Sequence, residues 1–210
     1  GISKSDFNQD ITFWDKHSGL KGNIYDITRF DNRIYIATNQ KIYYLTKPET
    51  TINSFYSEIR EVKNIPPGQN WDFLNFKIPS SNNKSPKKEI LLAGTQSGIY
   101  EIRGTMAVQI YPGYLHAFYI YQSQKNPNRI YSTDGFTDFI SLVYKDGNWK
   151  TEGKWNGLNE DIRSIYEDSD GDLWLTTLTN GVIRVTVDPL NITSPKQIKY
   201  YKEKEGLLSI

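Results

Sequence analysis

The sequence predicts an all-β fold made of four repeated units, each about 46 residues long and each containing four short strands. Short runs of β-branched and aromatic residues recur between Gly, Asn, Asp and Pro residues, which is the pattern of strands joined by tight turns. No segment keeps the 3.6-residue apolar period of an amphipathic helix. The chain also contains 15 tyrosines and 5 tryptophans, and aromatic side chains pack well on strands.

The repeat is marked by Gly-Leu pairs that begin at Gly19, Gly157 and Gly206. The first interval is 138 residues, which is three times 46, and the second is 49. Each pair follows a stretch of aromatic and charged residues and precedes a short linker that leads to an Ile. Two degenerate copies are therefore expected between Gly19 and Gly157.

Each unit divides into the same series of strands. The first strand is predicted at 23–30, 70–78, 114–121 and 161–168, the second at 33–38, 89–95, 129–134 and 172–177, and the third at 41–46, 98–103, 139–144 and 181–186. A more polar fourth strand closes each unit. Residues 79–88 and 188–195 read as exposed loops.

Four short strands in each repeat of this length are typical of β-propeller blades. The sequence thus predicts a single propeller segment over residues 1–210, with blades at about 23–58, 70–111, 114–155 and 161–204. The run 11–17 is interpreted as an extra outer strand that belongs to a preceding blade. Both chain ends look like cuts in a longer polypeptide, so we expect an arc of a larger propeller.

Composition excludes several classes of function. The net charge is +1 and the charged residues are scattered, which argues against a nucleic-acid partner. No run of 18 apolar residues occurs, so no membrane contact is expected within this segment. The chain has no cysteine, which excludes disulfides, thiolate catalysis and thiolate-bound metals.

An acidic stretch, "YEDSDGDLWLTT" at 166–177, raises the question of a calcium site. A calcium loop of the helix–loop–helix type needs Gly at its sixth position and Glu at its twelfth. Counted from Asp168, those positions hold Leu173 and Thr179. An Asp-Gly pair between two strands is instead a strong signal for a hairpin turn. We therefore expect a turn, with no metal and no cofactor.

The fourth unit resembles the two-component regulator propeller repeat. The matching residues are Gly157, Leu158, Asp168, Gly171, Leu173, Trp174, Thr177 and Gly181. The second unit keeps "LLAGTQSGIYEI", whereas the first and third units are degenerate, with Tyr35 and Tyr131 where Trp174 stands. Together the four units cover nearly the whole chain.

The resemblance implies a seven-bladed sensor propeller, periplasmic or extracellular, placed before a membrane helix and a cytoplasmic output domain such as a histidine kinase. In Bacteroidetes such propellers sense glycan fragments, so it also implies an oligosaccharide or other small ligand. The alternative is a propeller that serves as a scaffold for protein interaction or dimerisation and has no small-molecule site. An arc exposes two blade faces, so we expect self-association through them.

No enzyme is predicted. The chain contains no G-x-S-x-G sequence, no P-loop and no dinucleotide-binding fingerprint. Its two histidines, His17 and His116, fall in different units without metal-ligand spacing. A propeller glycosidase would need carboxylates from several blades around the axis, and only Asp72 has a suitable position. The expected function is accordingly non-catalytic.

Candidate ligand-binding residues fall in two groups. The apolar pairs Ile24/Ile27, Trp71/Leu74, Leu115/Phe118 and Ile162/Ile165 align between units, and the residues that follow the first member are Tyr25, Asp72, His116 and Arg163. The turns between the second and third strands supply Asn39, Gln40, Gln96, Ser97, Thr137 and Asn180. For the first group, side chains that border the channel or pack between blades are the favoured interpretation, and the second group is also explained by ordinary polar turns. For Trp14, Trp149, Trp155 and Trp174, core packing is favoured over sugar stacking.

Overall fold

A computed structural model describes residues 2–6, 9–46, 49–51, 54–79, 88–113, 119–134 and 137–207. These residues form twenty strands, in chain order β1 Ile2–Asp6, β2 Gln9–Trp14, β3 Ile24–Phe30, β4 Arg33–Thr38, β5 Ile42–Leu45, β6 Glu49–Thr51, β7 Ser54–Tyr56, β8 Ile59–Glu61, β9 Asn70–Lys77, β10 Glu89–Thr95, β11 Gly98–Arg103, β12 Met106–Pro112, β13 Ile120–Gln122, β14 Arg129–Asp134, β15 Asp138–Lys145, β16 Asn148–Asn159, β17 Ile162–Glu167, β18 Leu173–Thr177, β19 Val182–Thr186 and β20 Gln197–Tyr201. Single 3₁₀ turns occur at Lys16–Ser18 and Glu203–Glu205.

The strands build four antiparallel, four-stranded sheets, which confirms the predicted all-β architecture. Blade 1 contains β3, β4, β5 and β8, and blades 2, 3 and 4 contain β9–β12, β13–β16 and β17–β20. In blade 1 the hairpin β6–β7 lies between the third and fourth strands, so the outer strand β8 begins after residue 58. In blade 3 the outer strand β16 continues past residue 155. Most of the predicted loop 79–88, and residues 114–118 of the third inner run, lie outside the described residues.

Successive blades are joined by hydrophobic layers, as expected when the inner faces of stacked sheets interdigitate. The layer between blades 1 and 2 contains Tyr35, Ile42, Tyr44, Leu91, Ala93, Tyr100 and Ile102. The layer between blades 2 and 3 contains Phe76, Leu92, Ile99, Ile130, Ile140 and Leu142. The layer between blades 3 and 4 contains Tyr131, Phe139, Leu158, Leu173, Leu175 and Ile183. Strand alternation gives each blade two apolar faces, because successive side chains point to opposite sides.

The N-terminal segment repeats the structure of the last outer strand. Strand β2 covers much of the predicted run 11–17 and pairs with β1 rather than with a blade. Its 3₁₀ turn ends at Gly19 with φ of 97°, and the turn after β20 ends at Gly206 with φ of 96°. Trp14 and Leu20 from this segment cover the face of blade 1 that points away from blade 2. The segment thus lies against blade 1, and its assignment to a preceding blade stays a prediction.

The acidic stretch forms the turn between β17 and β18. One oxygen of the Asp168 carboxylate accepts hydrogen bonds from the backbone N–H groups of Asp170 and Asp172, both at 3.0 Å. Asp172 in turn accepts from Arg184 Nε at 2.8 Å and from Thr186 Oγ1 at 3.1 Å. These carboxylates are engaged by donors of the blade itself, so the acids stabilise a tight turn and its neighbouring strand.

Within the part of the chain that the structure describes, no helix is long and apolar enough to cross a membrane.

Candidate functional site

The inner strands of blades 1, 2 and 4 each begin with a β-bulge. Ile24 pairs with Thr38 and Asp26 with Ala37, so Tyr25 is the extra residue of its strand. The same shift leaves Trp71 between Asn70 and Asp72, and Arg163 between Ile162 and Ser164. A bulge re-aims the side chain of its extra residue. Tyr25, Trp71 and Arg163 therefore share one position in the repeat, which we call the bulge position.

The strand register corrects the sequence alignment of blade 2 by one residue. The sequence alignment made Asp72 the equivalent of Tyr25. In the sheets, however, Asp72 pairs with Gly94 on the second strand, as Asp26 pairs with Ala37. Asp72 is thus the counterpart of Asp26, and Trp71 is the counterpart of Tyr25. The alignment failed because Trp71 is apolar and was counted as part of the hydrophobic frame, whereas the bulge interrupts strand alternation at this point.

Tyr25 and Trp71 form an aromatic pair across the junction of blades 1 and 2. Their ring centroids lie 5.0 Å apart with an interplanar angle of 28°, which is a stacked arrangement. Tyr25 is 44% exposed, as is the neighbouring Ile27. The pair thus offers one exposed ring, that of Tyr25, which is held in place by the half-buried ring of Trp71.

Asp26 and Asp72 connect neighbouring inner strands. Asp26 Oδ2 accepts a hydrogen bond from the backbone N–H of Phe73 in blade 2 at 2.8 Å. Asp72 Oδ2 accepts one from the backbone N–H of Ile120 in blade 3, also at 2.8 Å. Burial, together with the charge of Asp26, raises the pKa of Asp72 to about 7, although the hydrogen bond from the N–H of Ile120 lowers it. The same carboxylate position thus links blades 1 to 2 and 2 to 3.

The other two predicted inner-strand residues have different situations. Arg163 is half-buried and its guanidinium donates to Asp161 Oδ2 at 2.7 Å, so its charge is paired within blade 4. His116 lies outside the described residues. Arg163 thus occupies the bulge position in blade 4 and is paired with Asp161. At the same position blades 1 and 2 have aromatic residues.

The turns between second and third strands are fixed by a repeated threonine. The hydroxyls of Thr38, Thr95 and Thr177 donate to backbone carbonyls three or four residues later, at 2.9, 2.9 and 3.0 Å. Each hydroxyl also accepts from a backbone N–H inside its turn. Side-chain hydroxyls commonly close turns in this way. The threonine hydrogen bonds give the turns of blades 1, 2 and 4 the same position, next to the start of the inner strand.

Most amide groups predicted for ligand binding are engaged by the protein. Asn39 Oδ1 accepts from the backbone N–H of Asn23 at 2.8 Å, and Gln96 Oε1 accepts from that of Gln69 at 3.3 Å. Asn180 donates to Glu160 Oε2 at 2.7 Å and accepts from Lys202 Nζ at 3.1 Å. These side chains hold the linkers that lead into the inner strands. Gln40 and Thr137 are exposed, and Ser97 is half-buried.

Gln96 and Ser97 line a shallow cleft at the edge of blade 2 that carries the turn between its second and third strands. The cleft has a volume of about 240 Å³, and its other lining residues are Pro66, Pro67, Gly68, Gln69, Thr95 and Gly113. Ligand pockets usually have about 300–1,000 Å³, so the cleft is suited to one small group rather than a whole oligosaccharide. None of the described residues that line the cleft is charged, which favours a neutral ligand group.

The tryptophans behave mainly as packing residues. Trp14 and Trp155 are buried, and their indole N–H groups donate to Ser57 O at 3.0 Å and Ser141 Oγ at 3.1 Å. Trp149 packs with its centroid 4.8 Å from that of Phe76. Trp174 is half-buried on the face of blade 4 that points away from blade 3, stacked on Tyr201 at 5.5 Å. Trp71 is therefore the one tryptophan on an inner strand. The sequence analysis counted it as a core residue and did not include it among the candidate ligand-binding residues.

Stacked four-stranded sheets with equivalent inner-strand bulges define the class of this protein as a segment of a β-propeller. Residues 156–179, which include the first two strands of blade 4, match the family model described as "Two component regulator propeller". No curated protein matches the sequence.

Two solved structures from B. thetaiotaomicron share the fold. One is described as the extracellular domain of a hybrid two component system, BT4673; it is 10% identical, with a TM-score of 0.57 over 87% of this chain and 25% of that one. The other is described as the extracellular domain of a one component system, BT4673; it is 13% identical, with a TM-score of 0.50 over 86% of this chain and 28% of that one. The chain thus spans about a quarter of the length of each of these structures.

Proposed function

We propose that the chain is a segment of a non-catalytic sensor propeller, periplasmic or extracellular, in a signal-transduction regulator. The observation that carries the proposal is the repeat at 156–179, which falls on the inner and second strands of a complete blade. The fold shared with the extracellular domain of a hybrid two component system supports the same placement.

The ligand surface that we propose is formed by the aromatic pair Tyr25 and Trp71. Aromatic faces bind the C–H faces of sugar rings, and Tyr25 has 44% of its surface exposed for such a contact. Arg163 holds the same repeat position in blade 4 and would donate to ligand oxygens. A neutral or weakly acidic oligosaccharide is the ligand class that this combination favours.

The described residues also favour binding over catalysis. A carboxylate pair for glycoside hydrolysis must have oxygens available to the substrate. Asp26 accepts from the backbone N–H groups of Ile27 and Phe73, at 2.7 and 2.8 Å, and Asp72 accepts from that of Ile120. Both carboxyl groups are engaged in holding strands together.

A second candidate function is that of a scaffold that binds protein or self-associates. The observation that favours it is the outer face of blade 4, where Trp174 stacks on Tyr201 and Tyr166 is 59% exposed. Aromatic and apolar strand residues are buried in the layers between blades 1 and 2, 2 and 3, and 3 and 4. Light scattering after size exclusion tests this candidate: a dimer that Tyr166→Ser returns to monomer supports it, and a monomer at all concentrations contradicts it.

The sensor proposal is tested by thermal shift against a panel of neutral and acidic oligosaccharides. We expect at least one sugar to raise the Tm of the wild type but not of Tyr25→Ala. Tyr166→Ala is the matched control, since it removes an exposed tyrosine from another inner strand and should retain the shift. A shift that survives Tyr25→Ala, or no shift with any sugar, contradicts the proposed surface.

A further inference from the structure

A cleft at the start of blade 1 is lined by the linker that leads into its inner strand. It has a volume of about 460 Å³, which lies within the usual range of ligand pockets. Its lining includes Leu20, Lys21, Ile24 and Gln40. Leu20 is buried and Ile24 is half-buried, and both belong to one hydrophobic layer, so part of the lining is apolar. We call this cleft the linker cleft of blade 1.

Equivalent backbone hydrogen bonds place a cleft at the same point of blade 2. The N–H groups of Asn39 and Gln96 each donate to the carbonyl oxygen of the residue before the inner strand, at 3.0 and 2.7 Å. Lys21 and Pro67 both stand two residues before that carbonyl group. The cleft that Gln96 lines is thus the counterpart of the linker cleft, and it has no charged residue among those described. The charge at this position therefore belongs to blade 1 and not to the repeat.

The linker cleft of blade 1 has an excess of positive charge. Lys16 and Lys21 line it together with one carboxylate, that of Asp15. Asp15 Oδ1 accepts from the backbone N–H groups of His17 at 2.8 Å and Ser18 at 3.4 Å, so this acid already stabilises the 3₁₀ turn. Among the residues that the structure describes, no ion pair joins Lys16 or Lys21 to a carboxylate. Two ammonium groups thus accompany one engaged carboxylate.

Blade 4 has an acid of its own at the corresponding place. The N–H group of Leu178 donates to Asp161 O at 2.9 Å, as in the other two blades, and the residue before Asp161 is Glu160. Glu160 Oε2 accepts from Asn180 at 2.7 Å, and Lys202 Nζ donates to Asn180 Oδ1 at 3.1 Å. In blade 4, therefore, a lysine and an acid of the protein are joined through one amide, whereas in blade 1 the acid would come from a ligand.

We propose that the linker cleft of blade 1 binds the anionic substituent, a carboxylate or a sulfate, of an acidic oligosaccharide. The cleft adjoins the aromatic surface, because Ile24 lines it and directly precedes Tyr25. One ligand can thus stack a sugar ring on Tyr25 and place its charged group beside Lys16 and Lys21. The ammonium group of lysine acts as a point charge that suits either anion. This proposal rests on the sensor function proposed above and narrows its ligand to an acidic sugar.

The subsite is tested by calorimetric titration of the whole chain with two charged trisaccharides, one of galacturonic acid and one of galactose 6-sulfate. Each is compared with its uncharged form, the methyl ester or the unsulfated trisaccharide. At low salt, at least one charged sugar should have a Kd about fivefold lower than its uncharged form, as expected for exposed charge contacts. Which of the two shows this preference identifies the anion. Equal Kd values within both pairs overturn the subsite and leave the sensor proposal standing.

Two sets of variants separate the charge contact from the stacking contact. The double variant Lys16→Gln and Lys21→Gln should raise the Kd of the charged sugar to that of its uncharged form. Tyr25→Ala should instead weaken both forms to the same extent. Lys150→Gln is the matched control, since it removes an exposed lysine from the outer strand of blade 3 and should change neither Kd. A preference for the charged sugar that survives the double variant contradicts the linker cleft as its site.

A titration with sodium sulfate alone makes the test independent of the sugar. In two-dimensional NMR spectra, the amide signals of Lys16, Lys21 and Gln40 should move as sulfate is added and should stay in place in the double variant. If no sugar binds, the sensor proposal fails, and these signals still decide whether the cleft binds an anion. Movements spread evenly over the exposed lysines, or no movement, overturn the anion subsite.

Discussion

The indole Nε1 of Trp174 donates a hydrogen bond to Asp168 Oδ2 at 2.8 Å, which ties the second strand of blade 4 to the turn before it. The other oxygen of Asp168 holds the N–H groups of Asp170 and Asp172. Asp168 and Trp174 are both residues of the matched repeat. The relationship explains why the motif combines an Asp, a Gly and a Trp at this spacing: one carboxylate organises both the turn and the strand.

Replacing Asp168 with Ala should therefore destabilise blade 4. The change removes three hydrogen bonds at a partly exposed site, so we expect a loss of about 1–2 kcal/mol in the free energy of unfolding. The bond from Trp174 and those from the backbone lower the pKa of Asp168, so this stabilisation is present above pH 4 and is lost as the pH falls below that value. Urea unfolding of wild type and Asp168→Ala at pH 7 and pH 3 measures both effects; an equal difference at both values contradicts the assignment.

Glu167 should be among the most sensitive polar positions at the junction of blades 3 and 4. It is 2% exposed, and its carboxylate accepts from Ser123 Oγ at 2.9 Å, from Lys125 N at 3.1 Å and from Gln124 N. Glu167→Ala leaves these donors unsatisfied and should cost about 3 kcal/mol, whereas Ser123→Ala should cost about 1 kcal/mol. A double-mutant cycle should give a coupling above about 0.5 kcal/mol. Additive effects would show that the two side chains act independently.

The Gly-Leu pairs provide a matched test of blade stacking. Leu158 is 0% exposed in the layer between blades 3 and 4, while Leu207 holds the same place in its Gly-Leu pair and is 38% exposed. Leu158→Ala should cost about 2–5 kcal/mol, because it leaves a cavity in a packed layer. Leu207→Ala should cost less than about 1 kcal/mol. Similar losses in unfolding free energy for both variants would contradict this stacking.

Alanine substitutions at Gly181 and Gly147 distinguish the cost of a steric clash from the cost of backbone strain. Both have positive φ, 74° and 80°, so a side chain is unfavourable at either position. A Cβ at Gly181 would lie 2.3 Å from the carbonyl oxygen of Tyr201, whereas a Cβ at Gly147 would meet nothing within 4 Å. We expect Gly181→Ala to cost about 2–4 kcal/mol and Gly147→Ala about 1 kcal/mol. Equal Tm values for the two variants would show that β19 and β20 can separate at Gly181.

The blade architecture was predictable because it rests on local signals. The runs 33–38 and 172–177 are β-branched and aromatic and end at turn residues, and they form β4 and β18 with nearly the same bounds. The acidic turn was also predictable, since Asp-Gly favours positive φ and Gly171 has φ of 89°. These features depend on residues close together in the chain.

The candidate site was less predictable because it depends on register. The bulges at Tyr25 and Trp71 shift the inner strands by one residue, and only pairing with Thr38 and Thr95 reveals the shift. Ile24 pairs with Thr38 and Asn70 with Thr95, so Asp26 and Asp72 each stand two residues after the paired residue and are equivalent. The engagement of Asn180 by Glu160 and Lys202 was likewise hidden, because it joins three different segments.

The most direct test of the account is an NMR titration of the chain with the oligosaccharide that gives the largest thermal shift. We predict that the amides of Tyr25, Trp71 and their neighbours move most, and that the indole N–H signal of Trp71 moves with the same apparent Kd. Tyr25→Ala should weaken that Kd by about tenfold or more, which corresponds to the loss of one stacking contact. Changes confined to the turns at 39–40, 96–97 and 179–180, or to the outer face of blade 4, would contradict a ligand surface built on the inner-strand bulges.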